Sequence, residues 1–327
     1  MSGQLNESQR FVLAELLHRK VSKAEIARRL HVHRSTVHRE LKRNTSPIGY
    51  IPEEAQWRAT TRLMLHGRKP KMDSLPTRRY VCQRLEDRWS PDQIAGRARQ
   101  EFPCAPERQI SRQTIYNWIQ RRRPDERRQW RACLRFGRPR RRRQENAGRL
   151  PGAVSIEGRP PIVEGRRRFG DWEGDTIVGR GRHGGLVSLV ERKSGYTLLA
   201  RVDDLRAGTV RKASARRLES LPSHLRHTLT FDNGKEFAEH QALALATGMR
   251  IYFAKPYCAW QRGTNENTNG LVRQYLPKGT DLRAESHRAV AAIQSSLNDR
   301  PRKRLGYLTP SEVLTKNAAR HGVALRV

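Results

Sequence analysis

Acidic residues, cysteines and aromatics are all scarce in this chain. Asp and Glu total 32 against 66 Lys and Arg, four cysteines are scattered over 327 residues, and aromatics make up 6%. Each shortage excludes something. Cys82, Cys104, Cys133 and Cys258 never stand as C-x-x-C, so neither a disulfide framework nor a zinc site is expected, and the thiols read as reduced and structural. No run approaches the roughly 18 apolar residues of a membrane span. The opening MSGQLNESQRF lacks the basic-then-apolar pattern of a signal peptide, so a cytoplasmic protein is expected. With 36% hydrophobic residues, the chain supports one good core plus smaller satellites, in two or three domains.

The shortage of acids leaves a net charge of +34 and a pI near 11.3. A polyanion is then the natural partner. Nucleic acid comes first and anionic lipid second, because no amphipathic anchor stands out. Binding driven by counterion release should weaken steeply with salt.

Residues 6–18, NESQRFVLAELLH, set Phe11, Leu13, Leu16 and Leu17 close to one helical face. Ser22-Lys-Ala-Glu25 fits a capping box opening a second helix, KAEIARRL, that buries Ile26 and Leu30. After the break HVH, a third helix, RSTVHRELKR, turns Val37 and Leu41 inward and Arg34, Ser35, Thr36, His38 and Arg39 outward. Helix, tight turn and a second helix with a polar-basic outer face is the helix-turn-helix plan. The alternative is a surface helix pair with solvated charges, but the outer face offers groups that can read bases. A partial echo follows. Ser90-x-x-Gln93-Ile94-Ala95 repeats the first pattern, Ser111 supplies an N-cap, and Arg112, Gln113 and Thr114 correspond to Arg34, Ser35 and Thr36. Ile115 and Ile119 are its buried pair. A second helix-turn-helix is therefore expected.

Residues 121–149 hold 13 arginines and 3 acids. Such a stretch reads as a linker or as an arm that orders on phosphates, with Arg140, Arg141, Arg142 and Arg143 as backbone contacts. Trp130 or Phe136 could stack on bases or anchor the arm. The expected domains are 1–48 and 49–120 (both helical), a 121–164 arm, and 165–327.

From Phe169 the pattern changes to FGDWEGDTIVG, GGLVSLVERK and GYTLLARV, three short strands in a meander. A helix over 206–220, the strand HTLTFDNG, the helix KEFAEHQALALAT and the strand RIYFAKP follow. A helix after the NENTN run and one near 286–298 complete an α/β domain with a mixed five-stranded sheet and helices on its faces.

Three acids could carry chemistry. Asp175 lies in the first strand, Asp232 ends LTF before Asn233-Gly234, and Glu266 stands in CAWQRGTNENTNGLVRQYL. Carboxylates gathered without a cation repel one another, whereas Mg²⁺ makes them stable ligands. Each also has a structural reading: Asp-Asn-Gly is a common turn, Glu266 could be a helix-start acid, and Asp171, Glu173 and Asp175 share one strand face, so alternation cannot separate them.

The segments WEGDTIVG at 172–179, TFDNGKEF at 230–237, QRGTNENTNGLVRQYLPKGTDL at 261–282 and LNDRPRKRLGYLTPSEVL at 297–314 resemble DDE transposases of the insertion-sequence-thirty family, and the resemblance covers nearly the whole chain. It implies an RNase H-like catalytic domain similar to that of retroviral integrases. It also implies Asp175, Asp232 and Glu266 as catalytic metal ligands, 33 residues separating the last two. Two Mg²⁺ ions, replaceable by Mn²⁺, are the implied cofactors. Arg262, Asn265, Asn267, Asn269, Arg273 and Lys278 would support Glu266 or contact DNA. The implied partners are double-stranded DNA, both the element's terminal inverted repeats and target DNA, and a second copy of the chain in a dimer or larger oligomer. No membrane and no small-molecule substrate is implied, and the setting is bacterial cytoplasm at the nucleoid. The competing expectations are a non-catalytic regulator of the element ends and an RNase H-like nuclease without strand transfer.

Overall fold

Asn6 and Gln9 close a reciprocal capping box and open α1 (Glu7–His18). Ser22 caps α2 (Lys23–Arg29) and His33 caps α3 (Arg34–Asn44); α4 (Pro52–His66) follows. This is a computed structural model, and it describes residues 4–66, 70–135, 150–255 and 258–320. The chain divides into two compact units, 1–70 and 71–327. Hence α4, expected beyond a boundary at 48, belongs with the first three helices.

The core of the first unit is Leu5, Leu13, Leu16, Ile26, Ala27, Leu30 and Val37. Two expected orientations change, those of Phe11 and Thr36. Phe11 is exposed, while Arg10 is buried and pairs with Glu40 at 2.7 Å. Thr36, expected on the reading face, is buried in line with Glu40 and Asn44, one helical turn apart each. Tyr50 donates to Glu40 at 3.1 Å, and burial beside that carboxylate pushes the Tyr50 hydroxyl up. A buried charge needs such partners, and they lock α1, α3 and the chain after α3 together.

The second unit begins with α5 (Leu75–Glu86), α6 (Pro91–Glu101), α7 (Arg112–Gln120) and α8 (Pro124–Cys133). Ser90 and Gln93 form the capping box of α6, Ser111 caps α7, and Ile94, Ile115 and Ile119 join one core, so the second helix pair is present. The expected linker starts later than the arginines suggested. Trp130 of α8 packs against Trp118 of α7, ring centroids 5.6 Å apart. Residues 136–149, including Phe136 and Arg140–Arg143, lie outside the described residues. The end of the expected arm belongs to the sheet: α9 (Pro161–Glu164) follows a stretch in which Val154 O accepts from Phe253 N at 2.9 Å.

The sheet comprises β1 (Asp171–Val178), β2 (Gly185–Glu191), β3 (Thr197–Val202), β4 (Thr228–Phe231) and β5 (Arg250–Phe253). Its order is β3-β2-β1-β4-β5, antiparallel among the first three strands and parallel for β4 and β5. This is the mixed five-stranded sheet expected. Helices α10 (Ala207–Glu219) and α11 (His240–Thr247) cover the larger core around Trp172, Leu229 and Phe231. The helices α12 (Gly263–Val272) and α13 (His287–Asn298) cover the second, around Ile177, Leu186 and Leu199. Edge strand β3 is closed by α13: Asn298 Oδ1 accepts from Thr197 N at 2.8 Å, and Gln294 Oε1 accepts from Leu199 N at 2.9 Å. The final helix, α14 (Pro310–Arg320), carries Glu312, which receives two bonds from Arg97 of α6, at 2.9 and 2.6 Å. Among the described residues, no helix is long and apolar enough to cross a membrane.

Candidate active site

Parallel pairing of β1 with β4 aligns Asp171 with Thr228, Trp172 with Leu229 and Glu173 with Thr230. Carried two residues further, the same register sets Asp175 beside Asp232, just past the end of β4. Gly174 allows the close approach. A Cβ built there would stand 2.2 Å from the Phe231 ring, so no larger residue fits without moving that ring.

Only one of the three acids on that face of β1 is left for chemistry. Asp171 is buried and takes two bonds from Arg168, at 2.8 and 2.9 Å, and one from Thr228 Oγ1 at 2.7 Å. Glu173 is buried, paired with Arg192, and accepts from the backbone N of Asn265 at 3.0 Å. That bond caps α12 from another element and corrects the expectation that the helix starts after the asparagines: α12 opens at Gly263 and carries NENTN inside it. Arg262 at its N-cap gives no side-chain cap; the sheet gives one, and tertiary contacts override weak helix formers.

The asparagines then divide their work. Asn265 is fully buried, its Oδ1 accepting from Ser188 Oγ at 3.2 Å, so it holds the helix on β2 and cannot touch DNA as expected. Asn269 donates to Asp175 Oδ2 at 2.7 Å and accepts from Ser188 Oγ at 2.9 Å, which fixes the carboxylate. Asn267 is exposed and accepts from Arg135 at 2.9 Å.

A cation stands between the two aspartates. Arg262 Nη2 donates to Asp232 Oδ2 at 2.9 Å, Nη1 donates to Gly174 O at 2.8 Å, and Nη1 lies 3.7 Å from Asp175 Oδ1. Asp232 also takes its own turn bond, from Gly234 N at 3.1 Å, while Asn233 donates to Ala254 O at 2.6 Å and ties the turn to the end of β5. Thr176 donates to Glu236 Oε1 at 2.9 Å, a neighbour that the sequence alone did not single out. Its only signal was that both lie in the quoted segments.

Glu266 is exposed on α12, one turn beyond Arg262. Among the described residues, no three Asp, Glu, His or Cys side chains stand close enough to hold one metal ion. The structure thus unites Asp175 with Asp232 and leaves Glu266 outside their contact. Two adjacent carboxylates already balanced by a guanidinium are hard oxygen donors of the kind Mg²⁺ takes, so that pair fits a divalent cation; the third acid does not complete it here.

The other expected contacts are mostly open. Arg34, Ser35, His38, Arg39, Arg112, Gln113 and Lys278 are exposed, and Thr114 is half-buried against Ser111. Arg273 donates to Val178 O at 2.9 Å and to Pro277 O at 3.3 Å, tying the end of α12 to β1.

Comparison with known proteins gives the same direction. A helix-turn-helix domain family matches residues 3–44, spanning the first three helices. The chain is 39% identical over 335 residues to the transposase for insertion sequence element IS4351 of Bacteroides fragilis, covering 99% of both chains. It is 44% identical to the transposase for element IS1086 of Cupriavidus metallidurans, over 90% of this chain and 89% of that one. It is 36% identical to transposase InsI for element IS30A of Escherichia coli K12, over 97% and 85%. The chain belongs to the IS30 family of insertion-sequence transposases. The solved catalytic core domain of BIV integrase is 20% identical, with a TM-score of 0.36, and covers 46% of this chain and 98% of its own. As a transposase with a helix-turn-helix at one end, this protein is an enzyme that acts on DNA, and its polybasic composition suits that substrate.

Proposed function

We propose that this transposase cuts DNA at the ends of its element and joins the freed 3′-OH to target DNA, with Asp175, Asp232 and Glu266 as the acids of the active site. The observation that supports the reading is Arg262, which donates to Asp232 at 2.9 Å and lies 3.7 Å from Asp175, in keeping with the β1–β4 register continued past Glu173. Glu266 follows on the helix whose N-cap residue, Arg262, reaches both aspartates. Asp175 and Asp232, with Glu266, would hold divalent ions, two Mg²⁺ or Mn²⁺ in their place. When bound, such ions supply Lewis-acid stabilisation of the phosphate and activation of the attacking oxygen.

The chain's own residues do the positioning. Asn269 and the backbone N of Thr176 hold the two oxygens of Asp175 in one orientation, at 2.7 and 2.9 Å. Glu173 and Asn265 pin the start of α12 to the sheet, so residues on that helix meet the aspartates in a fixed frame. Lys278 and Asn267 offer exposed donors to the DNA backbone, and Arg34, Ser35, His38 and Arg39 offer groups for base edges in the terminal inverted repeats. Joining two ends calls for at least two copies of the chain.

The test is an Asp232→Asn protein on short end-containing duplexes with Mg²⁺ or Ca²⁺. It should bind the ends as the parent does and yield neither nicked nor strand-transfer product. Cleavage at the parental rate would remove Asp232 from the chemistry.

A further inference from the structure

We propose that a second site, on a different face of α12 from Asp175, binds a phosphate oxyanion through Arg166, Arg302 and Arg304. These arginines and Thr264, Asn267 and Thr268 line a cavity of about 140 Å³. The helix positions are separated as its period requires: Asn265 and Asn269 turn to the sheet, while residues 264, 267 and 268 turn to this cavity.

Among the described residues, no direct salt bridge balances the charge around the cavity. Arg166 donates to Thr264 Oγ1 at 3.0 Å, Arg302 to Leu297 O at 3.0 Å and Arg304 to Lys193 O at 2.7 Å. None of the three is ion-paired with a carboxylate among the described residues. Two acids act on Arg304 from a distance: Glu191, whose Oε2 accepts from Ser194 N and Oγ, and Glu173, which is held by Arg192 and the start of α12. Behind them, Arg300 is buried and, among the described residues, bonded to the amide oxygens of Gln93 and Gln274, at 2.9 and 2.7 Å. Burial, with Arg300 and Arg304 nearby, pulls Arg302 down to about 9. Guanidiniums gathered at such cost in excess of the nearby acids are arranged for an anion from outside. Arg166 is held at φ 50°, uncommon for a residue with a side chain. Planar guanidinium forks and hydroxyls match the tetrahedral oxygens of phosphate. Arg304 is exposed and Arg302 half-buried, so the site is open to a ligand. The occupant is either a backbone phosphate of DNA or a free anion.

Two measurements on the full-length chain decide. In the first, thermal unfolding is followed against inorganic phosphate at constant ionic strength, for the parent, Arg304→Gln, Arg302→Gln and the control Arg216→Gln, an exposed arginine of α10. Phosphate should raise the Tm of the parent and control, and less than half as much in the two site variants. In the second, duplex affinity is measured across salt. A bound DNA phosphate predicts a slope shallower by about 0.9 in Arg304→Gln and unchanged in the control. A Tm effect with an unchanged slope identifies the free anion as occupant; a changed slope identifies DNA. Site variants that match Arg216→Gln in both measurements overturn the site, and Arg304→Gln keeps the test alive if Arg302→Gln does not fold. Asp232→Asn should follow the parent in both, which separates this site from the catalytic reading.

Discussion

Arg262 donates to Asp232 across 2.9 Å, and its guanidinium also reaches the carbonyl of Gly174 and the carboxylate of Asp175. A resident cation therefore occupies the ground between the two acids on which the chemistry is proposed to rest. Removing it should expose their repulsion. In metal-free buffer, Arg262→Ala is expected to lose on the order of 1 kcal/mol, since Asp232 is partly solvated and exposed pairs are weak. Mn²⁺ should then raise the Tm of the variant more than that of the parent, because no guanidinium competes for the oxygens. Equal Mn²⁺ responses would show that Arg262 and the ion do not contend for one place.

Gly174 controls the spacing of the same two acids. Gly174→Ala sets a methyl 2.2 Å from the Phe231 ring, and the ring is fully buried. Overpacking of this kind costs about 1–3 kcal/mol. Because the Phe231 ring next to Asp232 must move to relieve it, cleavage should fall further than stability does. Circular dichroism with a single-turnover cleavage assay checks this; a stable variant with parental cleavage would show that the sheet absorbs the methyl elsewhere.

Glu191 supplies a pH-dependent term. Burial pushes its carboxyl above the usual range, with Ser194 and the Lys193 backbone opposing. A folded-state value above the unfolded one means the native protein binds the proton more tightly. This residue's contribution is therefore most favourable at acid pH and is lost as pH rises through and above the ordinary carboxylate range. Glu191→Gln removes the titration and keeps an oxygen for Ser194. Its Tm relative to the parent should climb between pH 4 and pH 7 on the order of the carboxylate scale. A difference that is flat or falls with pH would contradict the burial-driven shift.

Much of this was legible from local pattern. Capping boxes and apolar spacing located the helix-turn-helix, and alternating β-branched runs located five strands, because those signals are written in neighbouring residues. What escaped was set by partners far away in sequence. Nothing in its neighbours marks Arg10 as buried; its partner Glu40 lies 30 residues on. NENTN reads as loop until the Glu173 carboxylate caps it across 92 residues. Trp130 sits in a stretch too arginine-rich for a core, yet Trp118 holds it. For the acids, Asp171, Glu173 and Asp175 are indistinguishable by alternation. Arg168 and Arg192 separate them by claiming the first two. The expectation that Glu266 would join the aspartates came from the order of the acids along the chain as well as from resemblance, and among the described residues no three such side chains stand close enough to hold one ion.

The last prediction divides reading from holding. Arg34 and Arg39 are exposed on α3, the helix we propose enters a major groove. A side chain that pairs with a base edge discriminates by about 1–3 kcal/mol, and its loss should be felt only on the right sequence. Arg140, Arg141, Arg142 and Arg143 form an unbroken basic run in the sequence. Neutralising the four should weaken binding to every duplex alike, and the salt dependence should fall by about 0.9 for each phosphate released. Arg34→Ala or Arg39→Ala should instead reduce the ratio of end to random DNA affinity while moving the slope by at most one contact. Titrations of both variant sets, on end and scrambled duplexes at several salt concentrations, measure the two quantities separately. Identical proportional losses on both duplexes from either set would mean that α3 holds the backbone and that sequence is read elsewhere, with the exposed Arg112 and Gln113 of α7 the next residues to change.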